Sequence, residues 1–324
     1  MRGGEGIPPS GHGVASPRVR PLAALVFLTA LVGLAATTTG RPLRGAARCP
    51  VFPRSNPWNE RVDRLPVAKN SARLIASIGA DRPVHADFGA GLYQGASIGI
   101  PYTTVPGRQK RVPVSFQYAD ESDRGPYPIP PDAPIEGGSN SDGDRHVIVV
   151  DRTRCRLYEL FDAHPVTGGT RWRAGSGAVW NLRSNHLRPR GWTSADAAGL
   201  PILPGLARYE ELRRGGINHA LRFTASRTRR AFIAPARHFA SNDTDPSLPP
   251  MGLRVRLKRS FSLKGFGPQA RAVLLALKRY GMLLADNGSP WFITGAPSRG
   301  WSNDDLHELG RVHGSDFEVV DTRG

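Results

Sequence analysis

Glycine and proline cut this chain into short pieces, and that constrains its fold more than any other feature. With 37 Gly and 29 Pro among 324 residues, the apolar segments beyond residue 48 are brief and bounded by turn formers. Such punctuation favours strands over long helices. The pattern predicts a β-rich α+β protein: an antiparallel sandwich or jelly-roll-like core carrying helical insertions. The strands are not separated by regular crossover helices, which argues against a doubly wound parallel sheet.

Individual elements follow from periodicity. A helix is predicted over 70–79, with Asn70 and Gly79 as caps and Leu74, Ile75 and Ile78 on one face. A longer one is predicted over 268–280, opened by Pro268 and stopped by Gly281. Alternation marks a half-buried strand through Val112, Val114, Phe116 and Tyr118. The stretches 146–150 and 156–161 read as a hairpin, and 172–180 as one further strand. Residues 191–199 and 204–214 read as short helices, 220–225, 231–234 and 253–257 as strands. A helix at 303–312 lies between closing strands at 291–294 and 317–320.

The N-terminus has the tripartite pattern of an export signal: Arg2, Arg18 and Arg20, then an uncharged run over 22–36, then small residues. The run is shorter than the roughly 20 apolar residues of a spanning helix, although an uncleaved anchor is the competing reading. The expected organisation is a signal peptide and flexible segment over 1–48 and one secreted domain over 49–324, with no stable membrane insertion after cleavage. Both cysteines, Cys49 and Cys155, lie beyond the signal. In an oxidising compartment they are expected to form a disulfide, the alternative being two free thiols. Closing a loop of about 100 residues is worth at most about 4–5 kcal/mol in the chain-entropy view.

The formal charge of +17 comes from 44 Lys and Arg against 27 Asp and Glu. Only five of the 44 are Lys, a bias expected of a GC-rich genome. Residues 1–48 hold six Arg and one Glu, which leaves the remainder near +12. The arginines are scattered and often adjoin acids, so nucleic acid is not the expected partner. An extracellular polysaccharide or cell-wall polymer is.

Candidate chemistry gathers where histidine meets charge. His85 and Asp87, and likewise Asp144 and His146, are two residues apart, a spacing that puts both side chains on one face of a strand. His219 precedes a predicted strand containing Arg222, His238 follows another, and Asp286 lies in a predicted turn. Three readings compete. In the first, these groups line a polysaccharide cleft: the histidines act as acid or base, or an Asp pair such as Asp87 and Asp144 performs hydrolysis. Arg145 and Arg222 would then neutralise a sugar carboxylate, Trp172, Trp180 and Trp192 would offer flat faces to sugar rings, and Asp286 would bind substrate. In the second, His85, Asp87, Asp144 and His146 hold a metal. In the third, all are structural.

Familiar motifs are not satisfied. His307-Glu308 lacks a second histidine at the spacing of a zinc-protease helix. Gly89, Gly91 and Gly95 miss the dinucleotide-loop spacing. Ser176 is not in a nucleophile elbow. Asn140, Asp142 and Asp144 alternate as calcium ligands do, but without the glycine placement of an EF-hand. No cofactor is assigned.

The stretches His85-Ala-Asp-Phe-Gly89, Tyr118-Ala-Asp-Glu-Ser-Asp123, Asp142-Gly-Asp-Arg-His146, 191–206 and Ala285-Asp-Asn-Gly-Ser289 carry a resemblance to a group of exported proteins from GC-rich, actinobacterial genomes. It covers roughly residues 49–322 and implies export without implying a reaction. The expected function is that of a secreted hydrolase or lyase acting on an extracellular polysaccharide; the alternative is a non-catalytic protein binding the cell wall or a polysaccharide. The oligomeric state is left open.

Overall fold

The computed structural model describes residues 43–322. The predicted signal run at 22–36 lies outside the described residues. Among the described residues, no helix is long and apolar enough to cross a membrane. The described residues form four α-helices, α1 (Ser71–Ile78), α2 (Tyr209–Leu212), α3 (Pro268–Arg279) and α4 (Asn303–His307). Of the strands, β1 (His85–Asp87), β2 (Leu92–Tyr93), β3 (Ala96–Ser97), β4 (Tyr102–Val105) and β5 (Val114–Phe116) come first. Then follow β6 (Val147–Asp151), β7 (Arg156–Phe161), β8 (His164–Val166), β9 (Arg171–Ala174) and β10 (Ser176–Asn181). The last five are β11 (Leu221–Ala225), β12 (Arg254–Leu257), β13 (Met282–Asn287), β14 (Phe292–Thr294) and β15 (Phe317–Val319).

The architecture is β-rich α+β and sandwich-like. A four-stranded sheet, β10-β7-β6-β4, supplies side chains to two cores. Strand β6 shows why: its unbroken run Val-Ile-Val-Val is buried at every position, the pattern of a strand covered on both faces. Ile148 and Val150 join the large core shared with the six-stranded sheet β1-β14-β11-β13-β12-β15. Val147 and Val149 join a smaller core with Trp172, Ala174 and Tyr127, where the three-stranded sheet β5-β9-β8 packs.

The predicted antiparallel pairing is joined by parallel pairs. Strands β1 and β14, β11 and β13, β4 and β6, and β5 and β9 pair in parallel. Parallel neighbours need long connections, and the one between β11 and β13 carries β12 and α3.

Several local expectations also change. Residues 191–199 form no helix, because the Ser194 hydroxyl donates to the Leu200 carbonyl and accepts from the Asp196 N–H. Such local bonds compete with helical ones. The predicted strand over 172–180 breaks at Gly175 into β9 and β10. The stretch 204–214 reduces to a 3-10 turn and α2, and 231–234 contributes one bridge, Phe232 to Met251. The helix predicted over 303–312 is α4 followed by a 3-10 turn. The caps of α1 and the Gly281 stop after α3 are as predicted. Gly281 has φ of 67°, and a Cβ there would sit 2.2 Å from the Val255 carbonyl oxygen, so only glycine turns the chain from α3 into β13.

The disulfide joins Cys49 to Cys155, 106 residues apart, with both cysteines fully buried. It ties the start of the described chain to the turn before β7.

Candidate active cleft

Strand β13 is the structural key to the site. Beside its parallel partner β11, the register shifts between Phe223 and Thr224, so that Leu284 pairs with Phe223 but Asp286 pairs with Thr224. Asp286 is an odd number of residues from Leu283, so in a regular strand it would face away from Arg222. The extra residue rotates Asp286 onto the face that carries Arg222, a common use of a bulge near functional groups. The turn that follows is pinned by Trp291. Its fully buried indole stacks between Phe223 and Phe317, at 5.4 and 5.1 Å, and its N–H donates to the Gly79 carbonyl at 2.7 Å. These contacts hold Trp291 at φ of 63°, a conformation rarely adopted by a bulky residue.

Strand β14 adds Thr294 to the same face. Its hydroxyl accepts from Arg222 Nη1 at 3.2 Å, and Asp87 lies in register beside it on β1. From the facing loops, buried Asp196 accepts from Arg222 Nε at 3.1 Å and lies 2.9 Å from Nη2. Asp286 is 3.8 Å from Nη2 of the same guanidinium. One cation therefore serves two carboxyls. Burial and the neighbouring Asp196 charge push the Asp286 carboxyl up to about 7. Asp196 is also pushed up by burial, against which its closer contact with Arg222 and the Ala198 N–H at 3.2 Å act. Of the two, Asp286 is the more exposed to the cleft.

Behind this pair sits His146, 2% exposed. Its Nδ1 is 2.5 Å from Glu136 Oε2, and its Nε2 is 2.9 Å from the Ala195 carbonyl. Both neighbours are acceptors, so the ring is held as an imidazolium donating twice. Burial alone would push it down, but the Glu136 carboxylate overrides that and raises it to about 9. Burial likewise pushes Glu136 up, and His146 outweighs it to leave Glu136 below the usual carboxylate range. Asp87 rises through desolvation and the nearby Glu136 charge. Five carboxyls, Asp87, Glu136, Asp144, Asp196 and Asp286, thus gather around two cations, Arg222 and His146.

An open cleft of about 390 Å³ lies over this cluster. Asp144, Asp196 and Asp286 line it together with Tyr118, Glu121, Phe161, Ser176, Ser194 and His238. Tyr118 is 46% exposed, a ring free to contact a ligand. His238 donates from Nδ1 to the Ala197 carbonyl at 2.8 Å and has Nε2 4.0 Å from Glu121.

The predicted residues divide accordingly. Asp144, Asp286 and His238 line the cleft, His146 and Arg222 are buried beneath it, and Asp87 stands exposed on β1 beside Thr294. The expectation that Asp144 and His146 share a strand face is corrected, because β6 begins only at Val147. Arg145 between them sits at φ of 50°, so Asp144 is exposed and His146 buried. Arg145 is no substrate ligand: it is buried, and its guanidinium donates to the carbonyls of Ser139, Ser141 and Ala163. His146 has neither a free nitrogen nor an exposed edge for acid–base work.

His85 and Asp87 do share a face of β1, where His85 stacks on Phe292 at 4.3 Å. His219 belongs to another cluster. It lies 3.0 Å from Glu211 Oε2 and 3.1 Å from Arg208 Nη2, while Arg208 donates to Glu211 Oε1 at 2.5 Å. The tryptophans are not sugar platforms. Trp172 is buried in the smaller core, Trp180 is buried and donates to Glu159 at 3.1 Å, and half-buried Trp192 packs against the Arg188 guanidinium at 5.5 Å. Among the described residues, no group of three or more His, Cys, Asp or Glu is placed to hold a metal ion, which corrects the metal reading of His85, Asp87, Asp144 and His146.

Glu136, Asp196 and Tyr118 were not among the predicted site residues. Glu136 stands in a glycine-rich loop, and Asp196 stands in a stretch that reads as a capped helix. Neither has a local signal: Glu136 meets His146 ten residues on, across an irregular loop, and Asp196 meets Arg222 from another segment. Comparison of the chain with known family models, with curated proteins and with solved structures gives no match.

Proposed function

We propose that this chain is an exported glycan hydrolase that cleaves by carboxyl acid–base chemistry in the Asp144–Asp286 cleft. One observation carries the reading: a carboxyl held protonated to about pH 7 opens onto a cleft beside an exposed aspartate. Glycosidic cleavage needs this division of labour, one carboxylic acid to protonate the leaving oxygen and one carboxylate to act as base or nucleophile. Asp286 is the acid. Once it has given up its proton, Arg222 at 3.8 Å stabilises the carboxylate that remains. Asp144 is the carboxylate, and Tyr118 is the platform for a sugar ring.

The substrate class follows from charge. Arg145 and Arg222 are engaged within the protein, and the carboxyls around the cleft outnumber the cations. An acidic sugar would meet repulsion here, so the glycan is neutral or amine-bearing. The same argument disfavours a lyase acting on uronates, whose carboxylate needs a free cation. The signal-like N-terminus, the resemblance to exported proteins and the formed disulfide support export.

The test is a screen of the full chain against neutral and amino polysaccharides, with Asp286→Asn and Asp144→Asn in parallel. Sugar release by the native chain that both variants lose supports the proposal. Release that persists in Asp286→Asn overturns the assignment of the acid.

A further inference from the structure

A second recess, of about 830 Å³, shares no lining residue with the cleft and has the opposite electrostatic character. Four arginines line it, Arg44, Arg213, Arg214 and Arg299, against one acid, Glu210. They come from three segments far apart in sequence. Arg44 sits in the turn closed by the Ala46 N–H on the Leu43 carbonyl. Arg213 and Arg214 follow α2, and Arg299 occupies the turn in which the Trp301 N–H donates to the Ser298 carbonyl. The convergence is therefore a product of the fold and not a run of charge in the chain.

The single acid does not pair with Arg44, Arg213 or Arg299. Glu210 Oε1 accepts from the Tyr102 hydroxyl at 2.6 Å, and among the described residues Arg44, Arg213 and Arg299 form no ion pair. Guanidinium groups present planar forks that suit carboxylates and other oxyanions. Several of them around one recess favour a polymer that carries such groups at intervals.

We propose that this recess is a docking site for an acidic polysaccharide, separate from the cleft, which would hold the protein on an anionic wall or matrix polymer. A glycan is favoured over nucleic acid because the recess offers no free aromatic face on which bases could stack. Its one ring, Tyr209, is packed edge-on against Trp301 at 5.4 Å.

The experiment measures binding of the full chain to polygalacturonate from about 50 to about 300 mM salt. Three ionic contacts, from Arg44, Arg213 and Arg299, predict a log–log slope of roughly −2. Arg213→Glu with Arg299→Glu should weaken binding at low salt by about tenfold or more, and the milder Arg213→Gln with Arg299→Gln by a smaller factor in the same direction. Arg171→Glu with Arg173→Glu, on exposed positions of β9, should stay within about twofold of native. Circular dichroism checks that each variant is folded. Native-like binding by both groove variants overturns the site, and tighter binding of an oligothymidylate than of polygalacturonate overturns the choice of ligand. Sugar release in the cleft is read separately, so failure of one proposal leaves the other standing.

Discussion

Two buried ionic clusters in this molecule use the same ingredients to opposite ends. Around Glu211, one carboxylate meets two basic partners, Arg208 and His219, and all three are nearly or fully buried. Burial pushes that carboxyl up, but Arg208 and His219 overrule it and bring it to about 2. Around Asp286 the count is reversed, with two carboxyls sharing Arg222 and further acids nearby, and the carboxyl rises to about 7. The first cluster is saturated and holds structure in place. The second has a carboxyl that keeps its proton and faces an open cleft. Stoichiometry of charge, rather than burial, separates a structural ion cluster from one poised for proton transfer.

The largest effects should separate the two clusters by what each substitution damages. Asp286→Asn should lower the rate of sugar release by about 10²–10⁴-fold while leaving the protein folded, as steady-state kinetics and thermal melting would show. Glu211→Gln leaves a buried Arg208 charge uncompensated, and removing one partner of a buried pair costs about 3–5 kcal/mol. A denaturant titration should show that loss, with activity per folded molecule retained. If Glu211→Gln melts like the native chain, the cluster is not the structural element described.

The pH dependence sharpens the contrast. Asp286 binds its proton more tightly folded than unfolded, so its contribution to stability is complete below about pH 4 and is lost as pH rises towards 7. Glu211 works the other way, contributing fully above about pH 4.5 and losing that contribution as pH falls towards 2. Stability profiles should therefore flatten between about pH 4 and 7 in Asp286→Asn, and only below about 4.5 in Glu211→Gln. A native slope that survives Asp286→Asn in the upper window would place the proton on another group. The smallest effect is expected from Tyr118→Ala, which should raise KM about threefold to tenfold with little change in kcat, as loss of roughly 1 kcal/mol of ring stacking would do.

How much of this was legible beforehand depended on whether the signal was local. The caps of α1, the Pro268 start and Gly281 stop of the long helix, and the hairpin of β6 and β7 are set by neighbours in sequence, and they were readable. Strand β13 was not, because Met282-Leu-Leu-Ala lacks alternation, and an apolar run buried on both faces cannot be told from helix by period. Spacing named Asp144 together with His146, and a predicted turn named Asp286 as a substrate ligand, beside Arg145 and three tryptophans. The start of β6 at Val147 and the left-handed turn at Arg145 separate Asp144 from His146, and neither is written in a two-residue spacing.

The sequence alone determined the β-rich class, through glycine and proline that keep apolar segments short, and it supplied the one pair of cysteines that could join. Only tertiary structure decided the chemistry. A bulge between Phe223 and Thr224 turned Asp286 towards Arg222, and loops from distant segments brought Asp196, Glu136 and His146 around it. A carboxyl's proton affinity depends on every charge within a few ångströms, and those neighbours exist only once the chain has folded.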